Sequence, residues 1–318
     1  MNKFVLLTVF ATIIVCTSCD KNEPKVKENF VGIEGISFEN YPKVDGSTSA
    51  RLINRMVACK LLGVDYKLMP PGTWTAEVEL LPIPENYSDF LEERIKTSQT
   101  HGAFENLING EADIILTHRA ISPDEKVLAD AVGVSLIEVN IALDAFVFIV
   151  NKNNPIKSLT VNQIQKIYTG EITNWSQVGG KNASMKVFTR PRNSGSEEVF
   201  RTIVMNGLEP ADFPESSVTM MSQVFDEVRF NEDAICYTFN NYKEKLVRVP
   251  DSDVPKISIN GIFPDDNTVK NRTFPFISEL HVAIRSDLDR SSMAYKLYEW
   301  LQSENAKYTI TECGFLPK

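Results

Sequence analysis

Three short runs place small hydroxyl residues, mostly beside Gly, where amphipathic helices begin. They are Asp45-Gly46-Ser47-Thr48-Ser49, Thr97-Ser98-Gln99-Thr100-His101-Gly102 and Arg190-Pro191-Arg192-Asn193-Ser194-Gly195-Ser196. A helix start leaves backbone N–H groups without partners and carries partial positive charge, so three starts brought together would receive an anion. Hydroxyls add donors, and Arg adds a rigid fork matched to tetrahedral or planar oxyanions. The pattern suits a protein that holds an oxyanion rather than one that transforms a substrate.

Each residue also has a plainer reading. Ser47, Thr48 and Ser49 serve equally as ordinary helix caps, although a triple hydroxyl run behind Gly46 exceeds what one cap needs. Thr100 and His101 follow the same logic, with Gly102 allowing close backbone approach. Arg190 leaves an expected strand, Ser194 and Ser196 meet the next helix start, and Gly195 lies between them. Arg119 follows a buried strand and joins Arg190 as a candidate cation. His101, His118 and His281 have no metal-ligand spacing, so neither a metal nor a cofactor is expected. With no nucleophile elbow and no paired metal cluster, phosphate-ester hydrolysis is the weakest function class.

The elements expected to position these residues alternate between helix and strand. Apolar spacing predicts strands at 33–38, 112–116, 134–139, 145–150, 186–189, 234–239, 257–259 and 280–284. Helices are expected at 50–62, 101–109, 127–131, 160–168, from the Ser194 loop to Asn206-Gly207, and at 294–301. A short strand is expected near 74–81, and no functional group is assigned to 64–86. Such alternation predicts α/β architecture with sheets covered on both faces.

The first residues speak to location. Lys3 precedes an apolar run from Phe4 to Val15, too short to span a bilayer but suited to a signal peptide. Cys16-Thr17-Ser18-Cys19 resembles a bacterial lipoprotein processing site, which implies cleavage after residue 18 and lipid on Cys19. Residues 20–29 are polar and broken by Pro24, as in a tether. Beyond Cys19, the odd count of Cys59, Cys236 and Cys313 gives no disulfide framework, and one pair stays open. Forty-two acids against 33 bases leave a net charge of -9, which argues against a nucleic-acid partner.

Several ordered motifs together resemble the phosphate-binding periplasmic solute receptors of ABC importers. The matching stretches are Asp45–Ser49, Gly110-Glu111-Ala112-Asp113-Ile114-Ile115 continuing to Arg119, and Asn151-Lys152-Asn153-Asn154-Pro155 with Ile167–Trp175. Arg190 with Ser194-Gly195-Ser196 resembles the family's anion loop, Ser196 standing for its usual Thr; Cys313-Gly314-Phe315-Leu316-Pro317 is similar to its ending. The resemblance implies a type II periplasmic binding fold: two α/β lobes, a two-strand hinge and ligand between the lobes. The lobes would be 30–150 with 270–318, and 151–269. Thr48, Ser49, Thr100, Arg190, Ser194 and Ser196 would contact phosphate, with Arg119 added on local grounds and Ser47, His101 and Gly195 as further candidates.

One departure bears on selectivity. The family places a carboxylate near the position of His118-Arg119, where it accepts a proton-bearing oxygen of the ligand. Asp144 is then either a substitute acceptor or a hinge carboxylate, and the second reading is preferred. The function expected is a monomeric, lipid-anchored, extracytoplasmic receptor that hands inorganic phosphate to an ABC permease. The alternative is a sensor or scavenger for another oxyanion or a small phosphorylated ligand.

Overall fold

Fifteen consecutive residues, Leu136–Val150, form the strand on which the rest of the sheet is organised. The computed structural model describes residues 30–68, 78–80, 89–213 and 218–318, with backbone alone at 78–80. The expected signal segment, Cys19 and the tether lie outside the described residues.

In chain order the strands are β1 (Val44–Gly46), β2 (Tyr66–Leu68), β3 (Val78–Leu80), β4 (Ile114–Thr117), β5 (Leu136–Val150) and β6 (Ser158–Leu159). They continue as β7 (Lys186–Val187), β8 (Ala234–Phe239), β9 (Ser258–Ile259), β10 (Ile277–Arg285) and β11 (Leu316–Pro317). The α-helices are α1 (Arg51–Leu62), α2 (Phe90–Arg94), α3 (Gln99–Ile108), α4 (Pro123–Ala131) and α5 (Val161–Tyr168). They are followed by α6 (Gly195–Val199), α7 (Gln223–Phe230), α8 (Asp266–Lys270), α9 (Met293–Leu301) and α10 (Glu304–Glu312).

Local chemistry explains several boundaries. Ser122 and Glu125 make a capping box at the start of α4, and Thr160 with Gln163 makes another before α5. Gly63 ends α1 in the left-handed region, its N–H returning to the carbonyls of Cys59 and Lys60. Helix α6 passes into a π-helical turn, Phe200–Met205, which stops at Asn206 in the left-handed region.

The main sheet runs β1-β4-β10-β5-β8-β7, with β11 also on β5. β1 and β4 are parallel, as are β7 and β8, while β10 and β5 pair antiparallel between them. Residues 136–145 of β5 face β10, and 146–150 face β8, so β5 changes partner at Ala145/Phe146. A register shift at Leu280/His281 leaves Ile141 out of the β10 ladder, and its carbonyl accepts the N–H of Lys318 instead. The last ten residues of β5 are all buried, as a strand covered on both faces requires.

Three expectations are corrected. Residues 33–38 form turns rather than a strand, because their glycine and polar residues close short hydrogen-bonded loops. The strands expected at 134–139 and 145–150 are one strand, since Asn140 and Asp144 carry polar groups that the fold buries rather than turns outward into a loop. Helices α2, α7, α8 and α10 were not anticipated; the short apolar stripe of α10 packs onto α9 and α1. Cys59, Cys236 and Cys313 are free and buried, and burial pushes the Cys59 and Cys236 thiols up to about 12. Among the described residues, no helix is long and apolar enough to cross a membrane.

Candidate functional site

Both parallel strand pairs of the main sheet end toward polar loops, and those carboxyl ends carry the candidate site, where open α/β sheets tend to bind ligands. β1 ends at Gly46 and leads through Ser47 into a 3₁₀ turn, Thr48–Ala50, that opens α1. β7 is followed by Phe188, Thr189 and Arg190, and the loop then enters α6. The α3 start is pinned beside β1 by Asp45, which is fully buried. Asp45 Oδ1 accepts the N–H of Ser98 at 2.9 Å and that of Gly46 at 2.7 Å, while Oδ2 accepts from Asn106 Nδ2 at 2.7 Å.

The three starts meet around one cavity of about 20 Å³, lined by Ser47, Thr48, Ser49, Gln99, Thr100, Arg190, Ser194, Gly195 and Ser196, with Met221 and Phe239. One water needs roughly 10–15 Å³ by this measure, and sites for drug-sized organic ligands span roughly 300–1,000 Å³. A cavity this small suits a small inorganic ion better than a drug-sized organic ligand. Contact between the second and third starts is direct: a Cβ added to Gly195 would lie 2.1 Å from Thr100 Oγ1. Gln99 opens its helix with φ of 64°, a left-handed conformation that a non-glycine residue adopts only when its surroundings impose it.

Donors are available at this cavity. Neither Ser47 nor Ser98, the residues preceding the first two starts, closes a side-chain cap. Ser194 does cap, accepting the N–H of Glu197 at 3.2 Å, so it is partly spent locally. Arg190 is 9% exposed, its guanidinium donating to the Val218 carbonyl at 2.6 Å and to Ser196 Oγ at 3.4 Å. Both partners are neutral, and among the described residues no carboxylate lies within ion-pair distance of the guanidinium. Burial lowers the pKa of Arg190 from its ordinary value, the direction expected for a cation held from water without a counter-charge. Its backbone is fixed by Tyr237 Oη at 3.1 Å and by Glu197 Oε2 at 3.3 Å; Glu197 also bonds Tyr237.

Other sequence candidates go elsewhere. Arg119 does not line this cavity: Glu125 takes its guanidinium at 2.7 Å on both terminal nitrogens, and Glu198 takes Nε at 2.6 Å. It borders a separate cavity of about 390 Å³ with Ser122, Glu198 and His281. His101 is likewise diverted, Nδ1 lying 3.0 Å from Glu125 and Nε2 3.6 Å from Glu105. Carboxylates already pair with both groups, Glu125 among them fully buried. Asp144 sits beside the partner change in β5, not on the cavity, and accepts N–H bonds from Ala145 at 2.8 Å and Asn241 at 3.1 Å. Burial raises its pKa, opposed by His118 and by those backbone donors.

His118, which the sequence left without a role, is buried behind Ser49. Its Nδ1 is 2.6 Å from Ser49 Oγ, its ring stacks on Phe239 at 4.2 Å, and Phe315 covers it at 5.1 Å. Gln99, Met221 and Phe239 were also missed, since nothing local distinguishes them. Asp45 carried a legible signal, being the acidic residue that opens the first hydroxyl run. The assembled groups can hold a small oxyanion.

Known proteins share this arrangement of elements. A profile described as the PBP superfamily domain matches residues 86–305. A phosphate-binding protein PstS of Bacillus subtilis is 26% identical over 58% of this chain, and the match likewise spans 58% of that relative. Protein SphX of Synechococcus elongatus is 31% identical over 75% of this chain and 74% of its own. Among solved structures, a putative phosphate ABC transporter substrate-binding protein from Clostridium perfringens, with bound phosphate, aligns over 89% of this chain and 99% of its own. Its TM-score is 0.64 at 23% identity. An ABC-type phosphate transport receptor from Vibrio cholerae aligns over 86% and 98%, with a TM-score of 0.61 at 23% identity.

Proposed function

The chain belongs to the PBP superfamily, and from that membership we propose that it is a solute receptor that encloses inorganic phosphate and delivers it to an ABC importer. The observation that carries the reading is the buried Arg190 guanidinium, paired only with neutral groups, beside a small cavity where three helix starts converge. A buried cation without a counter-charge is costly, and an oxyanion arriving among fixed donors relieves that cost. Thr48, Ser49, Thr100, Ser194 and Ser196 then supply donors, with Ser47 and Gly195 completing the wall. The small cavity supports an inorganic ion over a phosphorylated metabolite. The relatives named for phosphate binding support phosphate over other oxyanions.

Finer parts of the proposal have their own support. The division into lobes at 30–150 with 270–318, and 151–269, is supported by the partner change in β5. Ligand-linked closing of those lobes would present an occupied surface to a permease, the chain acting as a monomer without chemistry. Attachment to the extracytoplasmic membrane face through lipid on Cys19 rests on Cys16-Thr17-Ser18-Cys19 and the preceding apolar run.

Calorimetric titration of ligand-stripped protein with phosphate tests the central claim. Arg190→Ala is expected to weaken phosphate binding by roughly 2–5 kcal/mol. An unchanged affinity would place the ligand elsewhere.

A further inference from the structure

Behind the cavity wall, four polar side chains form a file leading away from the ligand position. Ser47 Oγ lies 3.1 Å from Ser49 Oγ, and Ser49 Oγ lies 2.6 Å from His118 Nδ1. His118 Nε2 lies 3.5 Å from Asp144 Oδ2, a separation longer than that of a well-formed hydrogen bond. All four residues are buried, with only Ser47 and Ser49 reaching the cavity. Asp144 accepts two backbone N–H bonds, which marks it as the acceptor in its pair with His118. The proton on Nε2 then faces Asp144, and Nδ1 is left as an acceptor.

This direction propagates outward. With Nδ1 accepting, the only hydroxyl proton of Ser49 is committed to His118. The oxygen of Ser49 has two lone pairs: one receives Ser47, and the other is left toward the cavity. Resting on the oxyanion reading above, we propose that His118 holds Ser49 as a hydrogen-bond acceptor, making the site select an oxyanion that carries a proton over one that carries none. Hydrogen phosphate has a hydroxyl to donate. Sulfate at neutral pH has none and would set an anionic oxygen against an oxygen lone pair, an unpaired contact that penalises the wrong ligand. His118 is thus a positioning residue that acts through Ser49, and it supplies what a carboxylate on the cavity wall would supply.

The test is calorimetric titration of the full chain with inorganic phosphate and with sulfate at pH 7.5. Wild-type protein should favour phosphate by at least about 100-fold. His118→Phe keeps a ring against Phe239 and Phe315 but frees the Ser49 proton to point into the cavity. Phosphate should weaken and sulfate strengthen, lowering the ratio at least about tenfold. His118→Asn places an amide oxygen near the position of Nδ1 and should restore most of the preference. If the ring serves packing alone, His118→Phe will weaken both anions equally; an unchanged ratio overturns the proposal. Should that variant fail to fold, Ser49→Ala decides, because removing the acceptor must also lower the ratio. Wild-type protein that binds both anions alike overturns this proposal and leaves the receptor reading intact, whereas binding of neither anion removes both.

Discussion

At Gly195 the backbone has room for a hydrogen and nothing larger. A Cβ there would stand 2.1 Å from Thr100 Oγ1 and 3.0 Å from Thr100 Cβ, and the second atom cannot swing aside. Gly195→Ala should therefore hold the second and third helix starts apart. The expected result is at least about tenfold weaker phosphate binding with little change in the melting temperature, read by calorimetry and a thermal scan. Equal affinity would show that the two starts need not touch when ligand is bound. Arg119 illustrates the limit of reading single residues. Its type and position fit an anion ligand as well as those of Arg190, and only the placement of Glu125 and Glu198 tells the two arginines apart.

Among the elements, the joint between β1 and α3 organises two of the three helix starts. One buried carboxylate, Asp45, receives donors from Gly46, Ser98 and Asn106, so neither start can drift without stranding an N–H. Asp45→Ala leaves three donors without their acceptor and should lower unfolding free energy by about 3–5 kcal/mol, measured by urea titration. A loss under about 1 kcal/mol would mean water replaces the carboxylate readily. Helix boundaries were legible where Gly63 and Thr160 mark them locally, whereas the helix expected at 127–131 begins four residues earlier, at Pro123 behind the Ser122 cap. The continuity of β5 was not, since a polar Asn140-Ile141-Ala142-Leu143-Asp144 interval reads as a break until β10, β8 and β11 surround it.

On the scale of the molecule, Arg119 joins the end of β4 to Glu198 in α6, a bond between the β1-β4-β10 side of the sheet and the side containing β7 and β8. Burial raises the Glu198 pKa, with Arg119 opposing. The folded protein therefore takes up this proton at a higher pH than an ordinary glutamate would, and the attraction is lost as pH falls through that raised value. Glu198→Gln should release phosphate about three- to tenfold faster at pH 7.5, the equivalent of about 1 kcal/mol for one partly exposed pair. The difference from wild type should shrink as pH falls and wild-type Glu198 itself becomes neutral. Stopped-flow release measured across pH checks this, and a constant difference would exclude the bridge as a strap on closure.

What the sequence alone determined was the local inventory: an α/β alternation, hydroxyl-rich helix starts and an arginine beside one of them. Those features follow from spacing and residue type within a few positions, which is the range over which caps, turns and amphipathic periods act. Tertiary structure alone decided which cation meets the cavity, why Thr100 requires Gly195, and that His118 stands behind Ser49 with Asp144 beyond it. The residues in these contacts stand 26 to 95 positions apart, and only the folded arrangement of strands brings them together.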